Sequence, residues 1–137
     1  MQKPNLNPPI RGVCTTSDGA SSDKPVFVVN SYYNSTNKAW CRKYSDGTIE
    51  QGGYTDILPS ATDTSTTINL LAYYNTDNIQ IFLTPVFSSK PTTGNNGGMM
   101  ACNLVKSIGT QQYYRFDIYW DTRLNNLEGC YWLAVGK

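Results

Sequence analysis

The chain has 137 residues, eleven basic and ten acidic, with a formal charge of +1 and not one histidine. The missing histidine excludes imidazole general bases, Ser-His-Asp triads and zinc sites with a histidine ligand, and the near-zero charge gives nucleic acid no electrostatic hold. Charged residues make up 15% of the chain and aromatic residues 12%, with only two glutamates, Glu50 and Glu128, so strand formers outweigh helix formers in a length that suits one all-β domain.

Residues 1–24 contain Pro4, Pro8, Pro9 and Gly12 without periodicity, and read as a lead-in or linker from a longer chain. The start has no apolar run of signal-peptide length, and no stretch approaches the roughly 20 apolar residues of a membrane helix, so membrane insertion is not expected. Eight strand-like runs follow, at 25–33, 39–45, 48–54, 66–74, 79–87, 99–108, 112–121 and 130–136. Their spacing predicts an antiparallel β-sandwich over residues 25–137.

Alternation assigns faces within several runs. Phe116, Ile118 and Trp120 fall on one side, expected to be core, and Arg115, Asp117, Tyr119 and Asp121 on the other. Ile68, Leu70 and Ala72 alternate with Asn69, and Ile79, Ile81 and Leu83 with Gln80. Pro85 cannot donate to a ladder, which points to an edge position, a bulge or the end of that strand. The Tyr32-Tyr33, Tyr73-Tyr74 and Tyr113-Tyr114 doublets each send neighbouring rings to opposite faces. The outward ring suits cross-strand packing, an interface between chains, or stacking on a sugar.

The connections are uneven. If neighbouring strands are antiparallel, the short breaks at Asp46-Gly47, 75–78 and 109–111 lie at one end. The longer ones at 34–38, 55–65, 88–98 and 122–129 lie at the other. Cys14, Cys41, Cys102 and Cys130 include no C-x-x-C pair, and a domain of this size needs no staples. Four reduced thiols are expected; two disulfides and a cysteine-only zinc site are the alternatives. No GxGxxG, Walker A or EF-hand pattern occurs, and no cofactor or metal is expected.

Residues 39–54, AWCRKYSDGTIEQGGY, describe a hairpin: strand, Ser-Asp-Gly turn, strand and a Gly52-Gly53 bend, with Asp46 as turn former rather than acid. Trp40, Arg42, Tyr44-Ser45-Asp46-Gly47 and Glu50-Gln51-Gly52-Gly53 occur in the order found in the C-terminal receptor-binding tip domain of bacteriophage tail fibres of the gp53-like type. The segment resembles that domain, and TTINLLAYYNTDNIQIFLTP and the closing YWLAVGK extend the likeness over residues 39–137. Thr48 stands where relatives often carry an aromatic, and SSKPTTGNNGG reads as a loop of its own.

The resemblance implies a β-sandwich assembled as a homotrimer at the end of a fibre shaft. Its place is the virion tail fibre, after synthesis in the bacterial cytoplasm. Its role is host attachment by non-enzymatic carbohydrate binding to host cell-surface polysaccharide or lipopolysaccharide. A free-standing bacterial lectin or carbohydrate-binding module, and a purely structural trimerisation cap, are the rival readings.

On the strand count, a shaft joins at the short-turn end and the long loops face away from it. Those loops supply the candidate ligand-binding residues Asn34, Asn37, Lys90, Asn95, Asn96, Arg123 and Asn125, with Tyr33 and Tyr54 at strand ends as stacking platforms. Arg42, Lys43, Arg115 and Arg123 are candidates for a basic patch, against the alternative of solvated strand faces and ion pairs with Asp117 or Asp121.

Overall fold

The computed structural model describes residues 26–57, 64–89, 100–106, 109, 111–121 and 126–137; the lead-in at 1–24 lies outside them. Among these residues eight strands form: β1 (Val28–Asn34), β2 (Ala39–Tyr44), β3 (Ile49–Asp56), β4 (Ser65–Tyr74), β5 (Gln80–Phe87), β6 (Ala101–Lys106), β7 (Tyr113–Tyr119) and β8 (Leu127–Gly136). Among the described residues there is no helix. Every pairing is antiparallel, in one sheet of order β1-β2-β3-β8-β5 and a second of order β4-β7-β6.

The core lies where the two sheets face each other. Phe116, Ile118 and Trp120 are buried as their alternation requires, and so are Ile68, Leu70 and Ala72. Across the sandwich they meet Trp132, Cys130, Ala134 and Leu127 of β8, with the Phe116 and Trp132 rings edge to face at 5.5 Å. One tyrosine doublet splits sharply by face, with Tyr74 fully buried and Tyr73 55% exposed, whereas Tyr32 and Tyr33 are both exposed and Tyr113 and Tyr114 both half-buried.

Two polar side chains tie the sheets together. The Tyr74 hydroxyl, from β4, donates to the Ala134 carbonyl of β8 at 2.8 Å. Gln51, from β3, is fully buried and accepts from the Leu71 and Ala72 backbone amides at 2.8 and 3.1 Å, while its own amide donates to the Ala72 carbonyl at 2.8 Å. These partners fall where the β4–β7 register breaks between Asn69 and Tyr74, so the glutamine side chain replaces a missing stretch of ladder.

Two sequence expectations change, the Gly52-Gly53 bend and the start of the last strand. Gly52 and Gly53 do not bend the chain; they lie inside β3, paired with Trp40 and Ala39 on one side and with Leu133 and Trp132 on the other. A Cβ on Gly53 would stand 2.7 Å from the Lys38 carbonyl oxygen, and one on Gly52 would stand 2.9 Å from that of Trp132. The glycines therefore serve close approach, not a turn. Pro85 sits on β5, an edge strand as expected, but the strand continues to Phe87. Strand β8 begins at Leu127, inside the stretch assigned to the 122–129 loop.

The turn reading of Asp46 holds. Its carboxylate accepts from the Thr48 amide at 2.9 Å and from the Thr48 hydroxyl at 2.8 Å, and Gly47 takes the left-handed φ of 87°. The Thr48 amide is the main cause holding this carboxyl below its usual range, and Lys137 at 3.6 Å adds to it.

Cys41, Cys102 and Cys130 are free thiols; Cys14 lies outside the described residues. Burial pushes the Cys41 and Cys130 thiols up, so less thiolate is present to react. Both residues have no exposed surface. Iodoacetamide at neutral pH is therefore expected to leave Cys41 and Cys130 unmodified in the folded protein and to label both within minutes in denaturant without reductant. Labelling of either at the same rate in both states would contradict their burial.

Candidate functional site

The register brings strand ends together. Asn34, Ala39, Asp56, Phe87 and Leu127 close one end of the five-stranded sheet, and Ser65, Ala101 and Tyr119 close the same end of the other. These residues bracket the four longer connections. The short-turn end is closed by the C-terminus, where the Asn75 and Thr76 amides both donate to the Lys137 carbonyl at 3.2 Å.

At the long-connection end a pocket of about 260 Å³ opens between the β1–β2 turn and the flank of β4. Thr36, Asn37, Thr55, Thr67 and Asn69 supply hydroxyl and amide groups, while Ala39, Ile68 and Trp132, all buried, supply apolar lining. Lys38, Tyr54 and Asp56 complete it. The volume suits one small ring rather than a long ligand, since drug-sized pockets start at roughly 300 Å³.

The charges at this end are already matched. The Lys38 ammonium donates to the Asp56 carboxylate at 2.6 Å, and that bond is the main reason the lysine titrates above its ordinary range. The same ammonium sits 5.6 Å from the centre of the Tyr54 ring. An ion pair gripping neutral hydroxyls, with amides and threonines beside it, can offer donors and acceptors to a polyol in alternation. Lys38 itself adopts a left-handed φ of 48°, which aims the turn back into β2.

Of the sequence-derived candidates, Asn37 and Tyr54 line the pocket. Asn34 is spent locally: its side-chain oxygen accepts the Asn37 amide at 3.1 Å and shapes the turn. Tyr33 is 64% exposed but belongs to the outer face of the five-stranded sheet, beside Trp40. The Tyr54 ring is engaged on that same face, 4.9 Å from the Tyr131 ring and filling the space above Gly129. Partial burial, with the charges of Asp56 and Glu128, raises its hydroxyl above the ordinary tyrosine range. Lys90, Asn95, Asn96, Arg123 and Asn125 lie outside the described residues.

Comparison with known proteins adds no assignment: no family model, curated protein or solved structure matches this chain.

Sequence reasoning missed Lys38, Asp56, Thr67 and Asn69. Asp56 follows Tyr54 by two residues on one strand face, and that spacing was readable. Thr67 and Asn69 were not, because they belong to the other sheet. A single basic patch does not form among the described residues: Arg42 stacks at 5.1 Å on Trp40 on the outside of one sheet, and Arg115 at 5.4 Å on Tyr114 in the other sheet. Asp117 accepts the Thr67 hydroxyl at 2.7 Å. No group of three His, Cys, Asp or Glu able to hold a metal occurs among the described residues.

Proposed function

We propose that this domain is the receptor-binding tip of a phage or phage-like tail fibre, a non-enzymatic homotrimer that attaches the particle to a host cell-surface polysaccharide or lipopolysaccharide. The observation that carries the glycan reading is the pocket at the long-connection end. Its polar residues are amides, hydroxyls and one self-neutralised ion pair, and its apolar lining includes Trp132. Such a site matches a neutral pyranose edge, whose hydroxyl groups need alternating donors and acceptors and whose C–H face needs an apolar wall. The hairpin resemblance at residues 39–54 supports the tail-fibre assignment. The strand count supports presentation of this end away from a shaft entering before β1.

The test is an array of bacterial O-antigen and capsular polysaccharides probed with the purified protein and with the Asn37→Ala, Asn69→Ala double variant. Both side chains are exposed, so the variant should melt within a few degrees of the parent. At about 1 kcal/mol for each hydrogen bond lost, binding should weaken by roughly 10- to 100-fold. Equal binding by parent and folded variant would remove the pocket from the proposal. A parent that binds nothing on the array would count against the glycan reading itself.

A further inference from the structure

The pocket at the long-connection end runs out onto the outer face of the five-stranded sheet. Lys38, Tyr54 and Asp56 belong to both: they line the pocket, and the Tyr54 ring packs on that face against Tyr131. Gly129 opens the passage between them. The Tyr54 ring leans over this glycine, toward the strand ends, in space that any side chain at 129 would occupy.

From Tyr54 the register lays further rings in line. Tyr131 of β8 pairs directly with Tyr54, ring centres 4.9 Å apart, and Phe82 of β5 is its diagonal neighbour, two residues before Thr84, which pairs with Tyr131. Diagonal neighbours on paired strands stand roughly 7–8 Å apart, so the track from Tyr54 to Phe82 crosses three strands in two short steps. Tyr131 and Phe82 are 58% and 54% exposed, which leaves most of each ring open.

The outward positions around these rings carry no charge. Leu133 lies opposite Phe82, and Gln80 and Thr84, both exposed, flank Phe82 on the same strand face with an amide and a hydroxyl. Ring faces bordered by such groups match the two surfaces of a pyranose, its C–H face and its hydroxyl rim. At the pocket rim the Asp56 carboxylate is taken up by Lys38, and Glu128 is near enough to act on the Tyr54 hydroxyl. With that lysine neutralised, Glu128 leaves the margin negative, which disfavours a sugar acid.

We infer that the site is an extended one for a neutral oligosaccharide, whose terminal sugar occupies the pocket and whose following sugars stack on Tyr131 and then on Phe82. The inference rests on the reading of the pocket as a glycan site and adds the class of glycan, its length and its course over β3, β8 and β5. A pocket of about 260 Å³ holds one ring, so tighter binding of a longer chain has to come from the platforms outside it.

The test is isothermal titration calorimetry with the neutral O-antigen polysaccharide that the parent binds on the array, and with its terminal sugar as the methyl glycoside. The parent should bind the polysaccharide at least about 10-fold more tightly than the methyl glycoside. Tyr131→Ala and Phe82→Ala, both at exposed positions, should melt within a few degrees of the parent and each weaken polysaccharide binding by about 3- to 10-fold. Tyr73→Ala, on the other sheet, should bind as the parent does. Folded Tyr131→Ala and Phe82→Ala variants that bind the polysaccharide like the parent, or a parent that holds the methyl glycoside as tightly as the polysaccharide, would overturn the inference and leave the pocket reading standing. If one of the two variants does not fold, the other decides. A molar mass by light scattering that falls in either variant would place a second copy of the chain on this face and overturn the inference as well. A parent that binds only acidic polysaccharides would overturn the neutral class, and one that binds no polysaccharide would overturn both readings.

Discussion

Gln51→Leu is expected to destabilise the domain by about 3–6 kcal/mol, a large share of the roughly 5–15 kcal/mol that holds a domain folded. Leucine keeps most of the volume but offers no polar atom. The Leu71 and Ala72 amides and the Ala72 carbonyl would then lose partners now at 2.8, 3.1 and 2.8 Å. They sit where β4 has left its ladder with β7, so no neighbouring strand can take over. Chemical denaturation should show the midpoint falling at unchanged slope.

Gln51→Glu separates hydrogen bonding from shape. A carboxylate accepts from both amides but cannot donate to the Ala72 carbonyl, and burial raises its pKa above the unfolded value near 4.3. The protonated acid is the form that fits. Stability from the pair is therefore present below the unfolded pKa and lost as pH rises through the folded one. The variant should be more stable at pH 4 than at pH 7 relative to the parent; an unchanged difference would contradict the role assigned to the Ala72 carbonyl.

Phe116→Ala is the second large effect, expected at about 3–5 kcal/mol. Phe116 has no exposed surface, lies on the central strand of its sheet between Ile68 and Leu104, and meets Trp132 of the opposing sheet at 5.5 Å. Alanine there removes a ring from the packed centre between the two sheets, and the strands on either side are paired along the register that would have to shift to close the gap. The melting temperature should fall by roughly 10–20 °C. Phe116→Leu, which keeps more of the volume, should cost less than half as much; equal losses for the two would mean that ring packing on Trp132, not cavity volume, sets the cost. Trp132 also lines the pocket, so a displaced indole would carry the damage to ligand binding.

What the sequence determined by itself was local and periodic. The eight strand-like runs correspond to the eight strands, the alternation in 112–121 identified Phe116, Ile118 and Trp120 as core, and Asp46-Gly47 marked a turn that forms. These survive because a period of two and the φ demands of a turn are carried by neighbouring residues alone. Antiparallel counting also placed the long connections at one end, since it needs only the number of reversals.

What the tertiary structure decided was partnership. The division into β1-β2-β3-β8-β5 and β4-β7-β6 separates β4 from β3 and sets β8 between β3 and β5, a choice made by summed packing over distant segments. Gly52 and Gly53 looked like a bend because glycine is permissive in either role; only the approach of Trp40, Lys38 and Trp132 shows that the missing side chain makes room. Gln51 looked like one more polar strand residue. Its burial is intelligible only beside the broken ladder of β4, twenty residues on, where a buried amide and carbonyl must find a partner or the fold loses free energy.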